Sequence, residues 1–86
     1  MGQLGVLPPT ASFNAAPLTG TAPLTVNFTD TSTGTITSRS WDFGDGGSSS
    51  VSNPSHDFGG AGSWQVTLTV SGPGGQDSIT LTVTVV

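Results

Sequence analysis

The chain has 86 residues, no cysteine, five aspartates and no glutamate; Arg39 is its one Lys/Arg cation, and the formal net charge is −4. That length suits one domain burying about 60–65% of its unfolded surface, and without thiols neither a disulfide nor a cysteine-based metal site can hold it together. One guanidinium cannot supply the phosphate neutralisation that dominates nucleic-acid binding, and no apolar run approaches the roughly 20 residues of a membrane-crossing helix, so neither nucleic acid nor membrane insertion is expected.

Residues 1–9, with Gly2, Gly5, Pro8 and Pro9, read as a tail or linker, and residues 10–86 as the domain proper. Met1-Gly2 is followed by no basic and apolar leader, which reads as a start inside a longer precursor. Ala11, Phe13 and Ala15 then alternate with Ser12 and Asn14, the pattern of a short strand that Pro17 and Gly20 interrupt. Leu24, Val26 and Phe28 form the next apolar face, with Thr25, Asn27 and Thr29 on the other side, so this strand should be half buried. Residues 31–35, around Gly34, read as a loop. Residues 36–43 form a third strand on which Arg39, Trp41 and Phe43 share one face; the stem of Arg39 should lie along apolar surface with its guanidinium at the rim.

Beyond a Gly-Asp-Gly turn, residues 48–52 read as a weak polar strand, Asn53-Pro54 as a turn, and Phe58 as the anchor of a crossover before the turn of residues 59–62. The last hairpin carries the strongest pattern. Trp64, Val66, Leu68 and Val70 alternate with Gln65, Thr67 and Thr69; Gly72-Pro73-Gly74-Gly75 turns the chain; Ile79, Leu81, Val83 and Val85 answer, with Thr80, Thr82 and Thr84 outward. Short strands, Gly/Pro punctuation and no helical period imply an all-β protein: an immunoglobulin-like, two-sheet antiparallel sandwich of about seven strands.

The most specific stretch is Trp41-Asp42-Phe43-Gly44-Asp45-Gly46-Gly47, where a strand ending in large rings meets a turn of glycines and short carboxylates. Glycine supplies the positive φ angles of such a connection, and aspartate accepts hydrogen bonds from the turn's own amides. With it stand Ala11-Ser12-Phe13, Thr21-Ala22-Pro23-Leu24-Thr25-Val26-Asn27-Phe28-Thr29-Asp30, Asn53-Pro54-Ser55-His56 and Gly62-Ser63-Trp64-Gln65-Val66-Thr67-Leu68-Thr69-Val70. In this order and spacing the blocks resemble the PKD domain, the immunoglobulin-like module named after polycystic kidney disease, over nearly the whole chain. Trp64 stands where that family usually has Tyr, and Arg39 where it usually has an aromatic. The resemblance implies that Trp41, Asp42, Phe43, Gly44, Asp45, Gly46, Asn53, Pro54, His56, Gly62 and Trp64 are structural motif residues.

Each candidate chemistry has a plainer explanation. Asp42 and Asp45 could be imagined as an acid–base pair, but strand alternation parts Asp42 from the ring face, and capping of turn amides accounts for Asp45. Ser55-His56-Asp57 holds the letters of a triad, yet adjacent residues cannot wrap one serine oxygen in relay geometry. The loop of residues 44–47 lacks the spacing, the following helix and the lysine of a phosphate cradle. Some collagenase-linked members of the resembled family bind calcium in the loop before the Trp-bearing strand; here that loop is residues 31–35, flanked only by Asp30, against a requirement for six to eight oxygens. Catalytic, cofactor and metal residues are therefore not assigned. Sugar stacking needs exposed rings, whereas Phe13, Phe28, Trp41, Phe43 and Trp64 fall on apolar faces; Phe58 is ambiguous. Asn27-Phe28-Thr29 is an N-glycosylation sequon with Asn27 on the solvent side.

The resulting expectation is a noncatalytic extracellular or cell-surface spacer or adhesion module of a larger surface-layer, cell-envelope or secreted protein. Its partners would be neighbouring domains of the same polypeptide or other surface proteins. The alternative is an accessory module of a secreted hydrolase acting on polysaccharide or protein, with weak carbohydrate or substrate binding.

Overall fold

The computed structural model describes residues 7–86, and within them eight strands and no helix. In chain order these are β1 (Phe13–Ala16), β2 (Thr19–Gly20), β3 (Leu24–Asp30), β4 (Ser38–Asp42), β5 (Ser48–Ser49), β6 (Ser55–Phe58), β7 (Gly62–Gly72) and β8 (Gly75–Val85). They make two sheets, one of three strands in the order β1-β3-β6 and one of five in the order β2-β8-β7-β4-β5. An all-β immunoglobulin-like sandwich is thus the architecture, with every pairing antiparallel except β2 against β8.

The alternation read from the sequence sets the layers. Val26 and Phe28 of β3, Trp41 of β4, Val66, Leu68 and Val70 of β7, and Val83 and Val85 of β8 are buried, while Thr25, Asn27, Ser40, Gln65, Thr80, Thr82 and Thr84 are exposed. A period of two on each strand therefore puts one row into the space between sheets and the other into water. Three features differ in detail from the pattern. The break at Pro17 and Gly20 becomes β2, because after four residues on β3 the chain leaves one sheet and joins the edge of the other beside Thr84 and Val85. The third strand runs over Ser38–Asp42 instead of residues 36–43, and the weak polar strand shrinks to Ser48–Ser49, there being no apolar face to extend it. Phe58, ambiguous in sequence, is wholly buried at the end of β6.

Of the segment expected to be a tail, residues 1–6 lie outside the described residues. Pro9 is buried, and the Leu7 carbonyl accepts a hydrogen bond from the Thr35 amide at 3.2 Å. Thr10 exchanges a pair of backbone hydrogen bonds with Thr33 at 2.9 and 3.0 Å.

Candidate functional site

Between the sheets, rings touch rings. Phe13 stands edge-on to Trp41 at 4.9 Å, Phe28 lies 5.4 Å from Trp41 and 5.2 Å from Phe43, and Phe43 stacks on His56 at 4.2 Å and 11°. His56 in turn meets Phe58 edge-on at 4.6 Å, and Phe58 stacks on Trp64 at 6.3 Å. The series links β1, β3 and β6 of one sheet to β4 and β7 of the other, so burial and offset ring geometry hold the sandwich closed together. Trp41 has no exposed surface, and its Nε1–H donates to the Val51 carbonyl at 2.8 Å, which satisfies its one polar atom. Trp64 is different: it lies on the inner face of β7 but near its end, half-buried, and its Nε1–H donates to the Gly60 carbonyl at 3.1 Å. A Cβ added at Gly62 would sit 3.7 Å from that indole, in ordinary contact.

The turn after β4 is fixed by its own side chains. Asp42 accepts from the Gly44 amide at 3.0 Å, Asp45 accepts from the Gly47 amide at 3.0 Å, and the Phe43 amide donates to the Gly47 carbonyl at 3.0 Å. Gly44 has φ +81° and lies so close to β7 that a Cβ there would sit 2.5 Å from the Gln65 carbonyl oxygen, so both the angle and the space demand glycine. The second oxygen of Asp45 lies 2.6 Å from Nε2 of His56. Burial alone would raise the Asp45 pKa, but the His56 hydrogen bond, the Gly47 amide and the charge on His56 outweigh it and hold the carboxyl below its ordinary range. One imidazole thus joins β6 to the β4–β5 turn, stacked on Phe43 and bonded to Asp45.

Asn53 and Pro54 act through the backbone of β3. The Asn53 carbonyl oxygen Oδ1 accepts from the Asp30 amide at 3.1 Å, and the buried Pro54 presents its carbonyl to the Phe28 amide at 2.9 Å. Asn27 is exposed on the outer face of the three-stranded sheet, its Oδ1 accepting from the Ser55 hydroxyl at 2.6 Å.

Sequence reasoning missed one pairing. Nε of Arg39 donates to Asp30 Oδ2 at 2.8 Å, and the Asp30 side chain is only 8% exposed. The other oxygen accepts from the Ser32 amide at 2.9 Å. Burial raises the Asp30 pKa, and hydrogen bonds from Ser32 and Arg39 with the Arg39 charge overcome it, leaving the carboxyl below its usual range. The signal lay in Arg39 itself, a lone cation on an apolar face that needs a carboxylate within reach. Asp30, at the head of the loop of residues 31–35, has both oxygens engaged in these contacts.

As a reaction centre the arrangement offers little. Asp42 and Asp45 cap amides of the same turn, and Ser55 bonds Asn27 while Asp57 bonds the Thr25 hydroxyl at 2.6 Å, so Ser55, His56 and Asp57 do not converge. Among the described residues no pocket opens, and no three His or acidic side chains cluster.

The model of the PKD domain family matches residues 7–86. The chain belongs to the PKD domain family. Solved structures agree with this assignment. The PKD1 domain of the Vibrio cholerae metalloprotease PrtV is 34% identical with a TM-score of 0.79, over 92% of this chain and 98% of that one. A Methanosarcina mazei protein solved by NMR is 40% identical with a TM-score of 0.75, over all of this chain and 58% of its own. A structure described for the promiscuous specificity of carbohydrate-binding modules of the β-sandwich superfamily is 28% identical with a TM-score of 0.83; the match covers 92% of this chain but only 34% of that one. The PKD chain thus spans about a third of that structure. No curated protein matches the sequence. PKD domains are modular units of larger proteins and are generally noncatalytic, which is the functional class these relationships give.

Proposed function

We propose that this PKD domain is a noncatalytic extracellular spacer and adhesion module, a rigid block that sets the distance and orientation of its neighbours in a surface-layer, cell-envelope or secreted protein. The observation that carries this reading is the path of the backbone. Leu7 and Pro8 lie beside Thr35 and Gly74, at the pole of the β7–β8 turn, whereas Val86 bonds Gly20 and Ala22 at the opposite pole. Between them runs the β7–β8 hairpin, whose strands of 11 residues each are about 36 Å long at strand rise. A domain entered at one pole and left at the other adds its length to an array instead of folding it back. The ring series keeps that block from shearing, and the neutral hydroxyl exterior limits indiscriminate contacts while leaving polar patches for neighbouring domains.

The test is scattering from two copies joined in tandem. The expected result is an elongated particle whose length approaches twice that of one domain; a compact, folded-back pair would sink the spacer reading. A second reading, an accessory module of a secreted hydrolase, draws on the likeness to a metalloprotease PKD domain and to carbohydrate-binding modules. It predicts retention of the isolated domain on chitin, cellulose or collagen, reversible by mutating one exposed patch. In either setting a glycan on Asn27 would stand on the outer face of the three-stranded sheet, where peptide mass mapping of protein from a glycosylating host would find it.

A further inference from the structure

Three of the five aspartates make the same local turn, each accepting the amide two residues on: Asp30 from Ser32 at 2.9 Å, and Asp42 from Gly44 and Asp45 from Gly47, both at 3.0 Å. Such a bond folds the carboxyl back along the peptide nitrogen in between. In two of the three that nitrogen is occupied. Thr31 donates its amide to the Ser12 carbonyl at 2.9 Å, and Phe43 donates to the Gly47 carbonyl at 3.0 Å. In the third, the Gly46 amide donates to no described residue. Gly46 is exposed, has φ +96°, and a Cβ built on it would meet nothing within 4 Å. The remaining aspartates turn elsewhere, Asp57 to the Thr25 hydroxyl and Asp77 to the Ala11 amide, so neither is folded over its own following peptide. A free amide with no side chain beside it therefore faces a folded-back carboxyl at Asp45-Gly46, which is also the one Asp-Gly step in the chain.

We propose that Asp45-Gly46 is a self-modification site, at which the turn rearranges through a succinimide to isoaspartate, and that His56 is the positioning residue that restrains it. The reaction needs only water. The Gly46 nitrogen gives its proton to solvent and bonds to Cγ of Asp45, while one carboxyl oxygen, protonated, leaves as water and the ring closes. A second water then adds to the α-carbonyl of Asp45 and the ring's bond from that carbon to nitrogen breaks. The chain now runs through Cβ and Cγ, and the α-carboxyl is left free. One water is lost and one regained, and nothing is oxidised. Ring closure is limited by the leaving oxygen, because an ionised carboxylate would have to expel oxide. The Gly47 amide holds one oxygen of Asp45, Nε2 of His56 lies 2.6 Å from the other, and both contacts favour the ionised form. The carboxyl is held below its ordinary range accordingly. Stacking on Phe43 at 4.2 Å and the edge contact with Phe58 at 4.6 Å fix the imidazole, so the restraint originates in the rings between the sheets. Rearrangement adds a methylene to the backbone of a turn that Gly44 presses against the Gln65 carbonyl, and it takes the carboxyl away from His56. An isomerised domain thus loses its link between β6 and the β4–β5 turn.

Prolonged incubation of the folded chain in heavy-oxygen water tests this, since each passage through the ring leaves one heavy oxygen on the residue, which peptide mass mapping locates. Endoproteinase Asp-N, which cuts before aspartate but not before isoaspartate, reports the same change independently. Label should enter at Asp45, with Asp30 and Asp42 as unlabelled internal references. His56→Phe keeps an aromatic ring for the stack on Phe43 but removes the hydrogen bond; it should label Asp45 at least several-fold faster and leave Asp42 unlabelled. His56→Gln, which restores an N–H donor, should fall between the two. The urea-unfolded chain should also label Asp45 faster than the folded one, and this comparison decides the matter should either variant fail to fold. No label at Asp45 in any form, equal rates in the wild type and folded His56→Phe, an equal rise at Asp42, or a folded chain that labels as fast as the unfolded one would overturn the proposal.

Discussion

The two turns at the ends of β4 and β7 solve the same problem by different means. After β4, two aspartates cap the turn's own amides, Gly44 is pressed against β7, and His56 reaches in from the other sheet. Between β7 and β8, only Pro73 and Gly74 separate strands that pair residue by residue from Gly72↔Gly75 to Gly62↔Val85. The hairpin relies on register and alternation, and many β-branched sequences would serve. The β4–β5 turn relies on named atoms at fixed distances, and few would. Individual substitutions should therefore be costly at the first and cheap along the outward-facing row of the second.

The largest effect is expected at the ring series that anchors the β4 side. Trp41→Ala should cost about 3–5 kcal/mol in urea unfolding, since it empties a fully buried site and orphans the Val51 carbonyl. A cost below about 1 kcal/mol would place Trp41 at the surface and undo the contrast. Next, Gly44→Ala should cost about 1–3 kcal/mol, measured the same way, because it forces a side chain onto a positive φ and against the Gln65 carbonyl. The acid limb of stability sharpens the comparison further. Asp45 and Asp30 are held below the ordinary carboxylate range in the folded protein, so each contributes stability that is complete above the unfolded value and lost as pH falls through the lowered folded value. Asp45→Asn and Asp30→Asn should each flatten the fall in melting temperature at acid pH; an unchanged acid limb would show that the carboxylates add nothing. Smallest of all, Thr69→Ala on the outer face of β7 should shift stability by no more than about 0.5 kcal/mol, although its hydroxyl meets Ser78 at 2.9 Å.

Much of the fold is legible in the sequence itself. Period-two alternation on β3, β4, β7 and β8 determines which rows are buried, and the Gly-Asp-Gly segment marks its turn, because both signals lie within a few neighbouring residues. What escaped depends on distance through space. Nothing local announces that the chain leaves β3 at Ala16 and joins β8 at Thr19, that Asp30 closes on Arg39, or that Asp45 and His56 meet, since each pairing needs both sheets in place. Phe58 was ambiguous for the same reason: a lone ring in a short polar stretch has no period to orient it, and only packing against Phe43 and Trp64 decides.

The unequal settings of the two indoles give the domain a built-in optical readout. With no tyrosine in the chain, near-ultraviolet emission comes from Trp41, sealed among phenylalanines, and Trp64, part-way into water. A collisional quencher should dim the second while sparing the first until the sheets part. Loosening at the pole of Gly60 and Gly62 can then be followed separately from collapse of the whole sandwich, in the unmodified protein and without an added dye.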